Sequence, residues 1–336
     1  MCRFQEECSD YEEQILKLNT VLRIDSYTRT PYSIHMSYPS ARSLYTIRIY
    51  MVREKFFLTK DLWGENRIYN PPRKIRMELK VKAGDIVIFL LPFQDIHYPN
   101  IFKTLQNLEV GHLIYNISFF AKQYGKKYLV DNNYSSCLVL RQKICGNIMP
   151  FDSEEIRKFW HKAMLRTSGK YYGGLINFDT AQKKYCYFLS KSKKLSTIIF
   201  MNDFNQNIRV LELVNEGNAY LNEEYGLSVS FDYLMQEYSY VHFRSQSQIT
   251  LFLLKWPLPE KDNYADMIQY MGAMAQEVCI ENANEGVYNR PIKQMKHLFW
   301  KPILEQNERL YNFIPFYGII TGKDIVAILH DKKIIF

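Results

Sequence analysis

Hydrophobic and polar positions along this 336-residue chain form two matched series. Between Asp85 and Gly125 a strand-length apolar run, DIVIFLL, breaks at a proline, crosses a polar loop and enters the helical pattern TLQNLEVGHLIYNISFFAKQYG. Between Ser247 and Gly286 the run ITLFLLKW leads in the same way into DMIQYMGAMAQEVCIENANEG. Inside each helical pattern a glycine (Gly111, Gly272) stands fourteen residues before the terminal one (Gly125, Gly286). Apolar runs bounded by turn residues read as buried strands, and helical-period patterns closed by glycine read as helices. Recurrence at this spacing predicts two copies of one supersecondary unit and an internal pseudo-dimer, with residues 1–146 and 151–336 as its halves.

Acidic residues and leucines from Tyr11 to Leu22 predict a short amphipathic helix, and a polar, Tyr-rich loop follows to Tyr38. In PSARSLYTIRIYMV, Tyr45, Ile47, Ile49 and Met51 alternate with Thr46, Arg48 and Tyr50, which is strand periodicity. A turn at Gly64 to Asn66 and the Pro71-Pro72 pair punctuate the way to the first repeat. Lys143 to Ser153 reads as the connection between halves, with Asp152 or Ser153 capping the helix of SEEIRKFWHKAML. Beyond it come the strand-like LSTIIFMN, a polar region from Glu216 to Ser239, the second repeat and a tail with IPFYGIITG. Few strands, several helices and no regular strand–helix alternation predict an α+β fold.

Composition narrows the class. With 47% hydrophobic and 15% aromatic residues the chain can build real cores. An excess of Lys and Arg, 43 against 35 Asp and Glu, favours anionic partners, although without a long basic block the cations also read as a solvated surface. The acidic start, MCRFQEECSDYEEQ, lacks the order of a signal peptide, and the apolar runs are too short for a membrane span, so a cytosolic protein is expected. Six cysteines (Cys2, Cys8, Cys137, Cys145, Cys186, Cys279) form no CxxC and no His–Cys metal spacing. Free thiols and no metal site are expected, with a Cys137–Cys145 redox pair the alternative.

Three segments could carry chemistry. PSARSLY, Pro39 to Tyr45, is a small-residue turn that lets the backbone pass close to a planar ligand, or simply a loop-to-strand turn. In LEVGHLIYN, Leu108 to Asn116, the residues Glu109, His112 and Asn116 share one helix face, and a polar trio there needs partners when buried. RTSGKYYGG, Arg166 to Gly174, sets two cations around a hydroxyl and small residues, which suits a phosphate monoester and equally suits an exposed loop.

Together these segments resemble the nitroreductase-like flavoproteins, and specifically the SagB-type dehydrogenases that oxidise azolines in thiazole- and oxazole-modified peptides. Pro39, Ser40, Ala41, Leu44 and Tyr45 match the family's isoalloxazine-lining segment, and Leu108, Glu109, Gly111, His112 and Asn116 match its helix motif. Arg42 stands where the family has glycine and Thr46 where it has proline. The family's Gln-Asn pair is Tyr115-Asn116 in one half and Gln276-Glu277 in the other, so each copy keeps one member. The resemblance implies two nitroreductase-like α+β halves holding one FMN per chain, or none, with Arg166, Ser168 and Lys170 at the phosphate and Lys323 as an additional cation. Ser40, Ala41, Arg42, Leu44, Tyr45, His112, Asn116 and Gln276 would flank the cofactor. A Lys-Tyr pair serves deprotonation in the family, and Lys184-Tyr185 is the candidate, with Lys170-Tyr171 as a second.

The expected function is an FMN-dependent oxidoreductase acting on azoline rings or a related heterocycle in peptide modification. A peptide substrate or other modification proteins are the expected partners, without nucleic acid or membrane, and a homodimer of pseudo-dimers is compatible with the pattern. The rival is a flavin-free pseudoenzyme serving as scaffold or peptide-binding subunit, which the eroded glycine and Gln-Asn pairs favour. A weaker option is NAD(P)H-dependent reduction of quinones or nitro compounds. No glycine-rich dinucleotide fingerprint is present, and such enzymes need none.

Overall fold

The computed structural model describes residues 8–24, 34–92, 98–131, 134, 136–143, 152–166, 195–202, 208–216, 218–222, 227, 229–230, 232–233, 236, 246–258, 263–283, 287–293, 297–323 and 333–334. Over 195–202, 208–216 and 218–222 the backbone alone is described. The chain divides into two compact units, Met1–His161 with Lys332–Phe336, and Lys162–Asp331.

Chain order in the first unit is α1 (Asp10–Lys17), β1 (Arg23–Ile24), β2 (Ile34–His35), a 3₁₀ turn (Ala41–Ser43), β3 (Ile47–Val52), β4 (Phe57–Lys60), β5 (Asn66–Tyr69), α2 (Arg73–Leu79), β6 (Ile86–Leu90), α3 (Phe102–Gln123), β7 (Lys127–Asp131) and β8 (Cys137–Lys143). Helix α4 (Ser153–Leu165) straddles the division. The second unit continues with β9 (Leu195–Asn202), β10 (Ile208–Glu216), β11 (Asn218–Asn222), β12 (Gln246–Lys255), α5 (Tyr264–Glu281), β13 (Val287–Ile292), α6 (His297–Leu304), a 3₁₀ turn (Glu308–Leu310) and β14 (Phe313–Lys323). Strand β15 (Lys333–Ile334) pairs with β1, and β1 with β2, in a small antiparallel sheet.

Each unit is built on an antiparallel sheet in which six strands are described. The first runs β5-β4-β3-β6-β8-β7 and the second β11-β10-β9-β12-β14-β13. Renumbered within each unit, the two orders are identical, and in both a long helix follows the fourth strand. The repeat read from the two strand–helix patterns therefore extends to the strand order of the two six-stranded sheets.

Local chemistry accounts for the element ends. Ser9 and Glu12 form a reciprocal capping box at the start of α1. That helix stops at Lys17, short of the expected Leu22, because Asn19 turns inward: its amide donates to Ile49 O (2.8 Å) and Thr59 Oγ1 (2.9 Å), and its oxygen accepts from Ile49 N–H (3.0 Å). Gly125 closes α3 at φ 62°, donating to Lys122 O, while Lys126 N–H reaches Ala121 O at 2.7 Å. In the second copy the helix ends earlier than the pattern predicts, at Glu281 with Asn282 as its cap, and Gly286 lies outside the described residues.

One face of each sheet is covered by a short helix. In the first unit Val52, Phe57, Val87, Cys137 and Val139 pack with Leu79 and Ile75 of α2. In the second, Ile249, Leu251, Leu253, Tyr288 and Ile320 pack with Trp300, Ile303 and Leu304 of α6. Full burial of one such side chain stabilises by about 1.5–3 kcal/mol. Helix α4 was expected to open the second half, yet its aromatic residues pack in the first unit. Phe159 stacks on Phe119 at 4.8 Å, Trp160 stacks on Phe120 at 5.4 Å, and the Trp160 indole donates to Gln14 Oε1 at 2.6 Å.

The α+β class holds, but the expectation of few strands does not: fifteen are described. No described helix is long and apolar enough to cross a membrane.

Candidate functional site

The first unit's candidate site is assembled from α3 and the segment that delivers the chain into β3. Gln106, Glu109, His112 and Asn116 recur every three or four residues, and all four are buried although polar. Such groups must find hydrogen bonds inside the protein. The Gln106 amide donates to Thr46 O (3.2 Å) and Leu91 O (3.1 Å), and the Asn116 amide donates to Ser37 Oγ (3.1 Å). Glu109 takes the largest share. Its Oε1 accepts from the Ser40 hydroxyl, and its Oε2 accepts from both the Thr46 N–H and the Thr46 hydroxyl, each at 3.0 Å.

Burial raises the Glu109 carboxyl to about 7, and the hydrogen bonds from Ser40 and Thr46, with the nearby Arg48 cation, hold it from rising further. It is therefore divided between acid and anion near neutrality. Burial, with the Glu109 charge adding to it, also pushes the Tyr38 hydroxyl well above its ordinary value.

The turn that Glu109 grips is strained. Ser43 (φ 55°) and Tyr45 (φ 46°) both occupy the left-handed region without being glycine. Tyr45 N–H donates to Ser40 Oγ (2.9 Å), and the Tyr45 hydroxyl donates to Ile34 O (3.1 Å) while accepting from Met36 N–H (2.9 Å). Tyr45 also meets Tyr38 edge-on at 5.4 Å. Ser40, Ala41, Ser43 and Leu44 are left half-buried.

The structure thus brings Ser40, Tyr45 and Glu109 into one network, ties Asn116 to Ser37 and buries His112 on the same helix. Ala41 and Leu44 lie on the gripped turn; of Arg42 the backbone alone is described. Gln276 and Glu277 are buried on α5 in the second unit. Arg166, read as an exposed loop residue or a phosphate ligand, is 2% exposed just beyond α4, where its N–H bonds to Lys162 O at 2.9 Å. The buried Cys279 thiol, pushed by burial up to about 12 and lowered somewhat by Arg166, lies near it. Lys323 ends β14, its side chain outside the described residues. Ser168, Lys170, Tyr171, Lys184, Tyr185 and Cys145 also lie outside them. Of the described cysteines, Cys8, Cys137 and Cys279 are free thiols.

Sequence reasoning missed Ser37, Gln106 and Thr46. The polar spacing on α3 could have been extended one turn back to Gln106, but Ser37 and Thr46 carry no local signal, since their partners lie on a helix many residues away. It also passed over Lys293, just after β13. Its ammonium donates to Phe316 O (3.1 Å) and sits 3.8 Å from the Phe316 ring centroid, and burial lowers it to about 8.

No protein-family profile and no curated protein matches the chain. Among solved structures, a candidate nitroreductase from Anabaena variabilis aligns over 95% of this chain and 90% of its own, with a TM-score of 0.68 at 11% identity. The fold is nitroreductase-like. Partial likenesses at lower scores include a candidate nitroreductase from Ralstonia eutropha (TM-score 0.33, 11% identity, 54% of this chain and 86% of that one). They also include the E. coli microcin synthetase McbBCD with truncated pro-MccB17 bound (TM-score 0.35, 11% identity, 61% and 81%). The Anabaena alignment includes residues of both units.

Proposed function

We propose that the chain is an FMN-dependent oxidoreductase acting on an azoline ring in a peptide, or on a related heterocycle. The observation that carries the reading is the gripped turn. A segment resembling the isoalloxazine-lining segment of nitroreductase-like flavoproteins is pinned to the central helix by a buried carboxyl, with small side chains left half-buried. A planar ring needs a flat, rigid surface of small residues, and Ala41 and Ser43 on this turn fit that requirement, with Leu44 an apolar neighbour. By sequence alone, the segment of Arg166, Ser168 and Lys170 carries charge and donors of the kind a phosphate monoester takes. The flavin, when bound, supplies hydride acceptance, and the chain supplies orientation and electrostatics. In this reading Glu109 holds the turn and Asn116 holds Ser37 ahead of it, neither taking the substrate's proton, whereas Lys184 or Tyr185 takes the proton that leaves with the hydride.

The test is the visible absorption of freshly purified protein, followed by FMN titration. Arg166→Ala should weaken FMN about ten- to a hundredfold. Without oxygen, an azoline peptide should bleach the bound flavin, and Lys184→Ala should prevent bleaching while leaving FMN bound. A colourless protein that takes up no added FMN would overturn the reading.

One observation favours a second reading, a flavin-free scaffold or peptide-binding subunit. The Ser40 and Tyr45 hydroxyls are both engaged within the protein.

A further inference from the structure

The turn from Ser40 to Thr46 is held by one side chain from far along the sequence. Its conformation is costly, because two residues other than glycine sit at positive φ, and a short exposed loop would relax away from it. Three donors of the turn, the Ser40 hydroxyl and the Thr46 N–H and hydroxyl, converge on the Glu109 carboxyl, which is 4% exposed. Ser40 in turn accepts from Tyr45 N–H, so the grip reaches the residue with the second positive φ. We infer that Glu109 is a positioning residue: it staples the turn into its strained form and thereby pre-organises the face against which the flavin ring lies. This rests on the flavin reading proposed above.

The matched position of the second copy carries no carboxyl. Two positions before Gly111 stands Glu109, whereas two positions before Gly272 stands Tyr270, which has no carboxyl to offer. The inference therefore includes a stoichiometry: one stapled ring site per chain.

Both protonation states sustain the grip. As an anion the carboxyl accepts from Ser40; as an acid it donates to Ser40 Oγ and still accepts from Thr46. The charged and titratable groups acting with it are Arg48 from β3 and Tyr38, against which Tyr45 packs edge-on, and His112 follows it by three residues on α3. A glutamine can make the same set of bonds without charge, and alanine can make none.

The experiment uses the full chain with Glu109→Gln, Glu109→Ala and the milder Ser40→Ala, the last in case the alanine at 109 fails to fold. Two readouts are taken: amide hydrogen exchange at Tyr45 and Thr46 in the flavin-free protein, and FMN affinity and stoichiometry by fluorescence titration. If the unstapled turn spends about 1–10% of its time in the binding form, Glu109→Ala should weaken FMN about 10- to 100-fold. It should also speed exchange at both amides by a comparable factor, while Glu109→Gln stays within about threefold of wild type in both readouts. Ser40→Ala should speed exchange at Tyr45 and weaken FMN by a smaller factor. Unchanged exchange in both Glu109→Ala and Ser40→Ala would overturn the staple, faster exchange with unchanged FMN affinity would overturn its positioning role, and two equivalents of FMN per chain would overturn the stoichiometry. Wild type that binds no FMN would sink the flavin reading and the positioning role with it, while the exchange data would still decide whether Glu109 holds the turn.

Discussion

Helices α3 and α5 follow equivalent strands in units of identical strand order, and both are buried through consecutive central positions, Leu108–Leu113 and Met271–Ile280. Their interiors differ. In α3 the buried polar groups Gln106, Glu109 and Asn116 bond to the segment between Ser37 and Leu91, so burial of that helix organises a loop. In α5 the central stretch is mainly small and sulfur-containing side chains, with Gln269, Gln276 and Glu277 as its buried polar members. Helix α2 lies between the third and fourth strands of its unit; at the same place the second unit has helical residues at 232–233 and 236, with Tyr233 stacked on Phe299 of α6, which follows β13. The two units share the order of strands, while the polar residues of the long helix differ. The strand framework is shared because pairing constrains every residue of a sheet, whereas a helix face can be rewritten a few residues at a time.

The outer-face cores offer the hardest way to break the comparison. Trp300→Ala on α6 and Phe57→Ala on β4 under α2 remove side chains that are 1% and 0% exposed, and each should cost about 3–5 kcal/mol in denaturant unfolding. If the cores serve as equivalents, the two losses will agree within about 1.5 kcal/mol of each other. A near-neutral Trp300→Ala would show that α6 adds little to its sheet.

Glu109 supplies the next largest effect, in the first unit. Its carboxyl is raised from 4.5 to about 7 in the folded chain, so the native state holds this proton more tightly than the unfolded one. Its contribution to stability is therefore greatest in acid and is lost as pH climbs from about 4.5 through about 7. Between about pH 5 and about pH 8, Glu109→Gln should gain about 2–3 kcal/mol relative to wild type. Parallel unfolding curves across that range would show that burial does not set this carboxyl.

In the second unit a glycine packs against a buried ring, whereas in the first unit Gly84 meets only the end of the Gln142 side chain. A Cβ on Gly322 would meet the buried Tyr288 hydroxyl at 2.5 Å and its ring at 2.8 Å, so Gly322→Ala should cost about 1–3 kcal/mol by thermal melting. Suppression by Tyr288→Phe would implicate the hydroxyl, while loss of the effect only in Tyr288→Leu would implicate the ring.

The smallest effect concerns helix starts. Asn263 caps α5 by accepting from Ala265 N–H at 3.0 Å, whereas Ile101 before α3 makes no side-chain cap. Asn263→Ala should lose about 1 kcal/mol and Ile101→Asn should gain a similar amount, both by chemical denaturation. Equal responses of the same sign would erase this distinction between the copies.

What could be read beforehand follows from the range of the interaction. Helix α4 and strand β9 match the segments SEEIRKFWHKAML and LSTIIFMN, because apolar periodicity and the Asp152 cap are written within a few residues. Strands β5 and β7 were missed because their side chains are mostly exposed, leaving no apolar alternation to detect. IPFYGIITG passed as tail although it lies in the long strand β14, whose identity depends on partners in β12 and β13. At the site, the turn and the helix face were each visible, but their joining through Glu109, Ser40 and Thr46 was not. A hydrogen bond between residues more than sixty positions apart leaves no periodic trace.

Strand β15 gives the chain an order of completion. Arg23 pairs with Ile334, and Ile24 with Lys333, so the first unit's small sheet includes residues from beyond the whole second unit. During synthesis, Arg23 and Ile24 leave the ribosome early and must wait for their partner until the second unit has been made. The unit that begins first is thus finished last, and a ribosome stalled before Lys333 would hold a chain whose opening sheet is still one strand short.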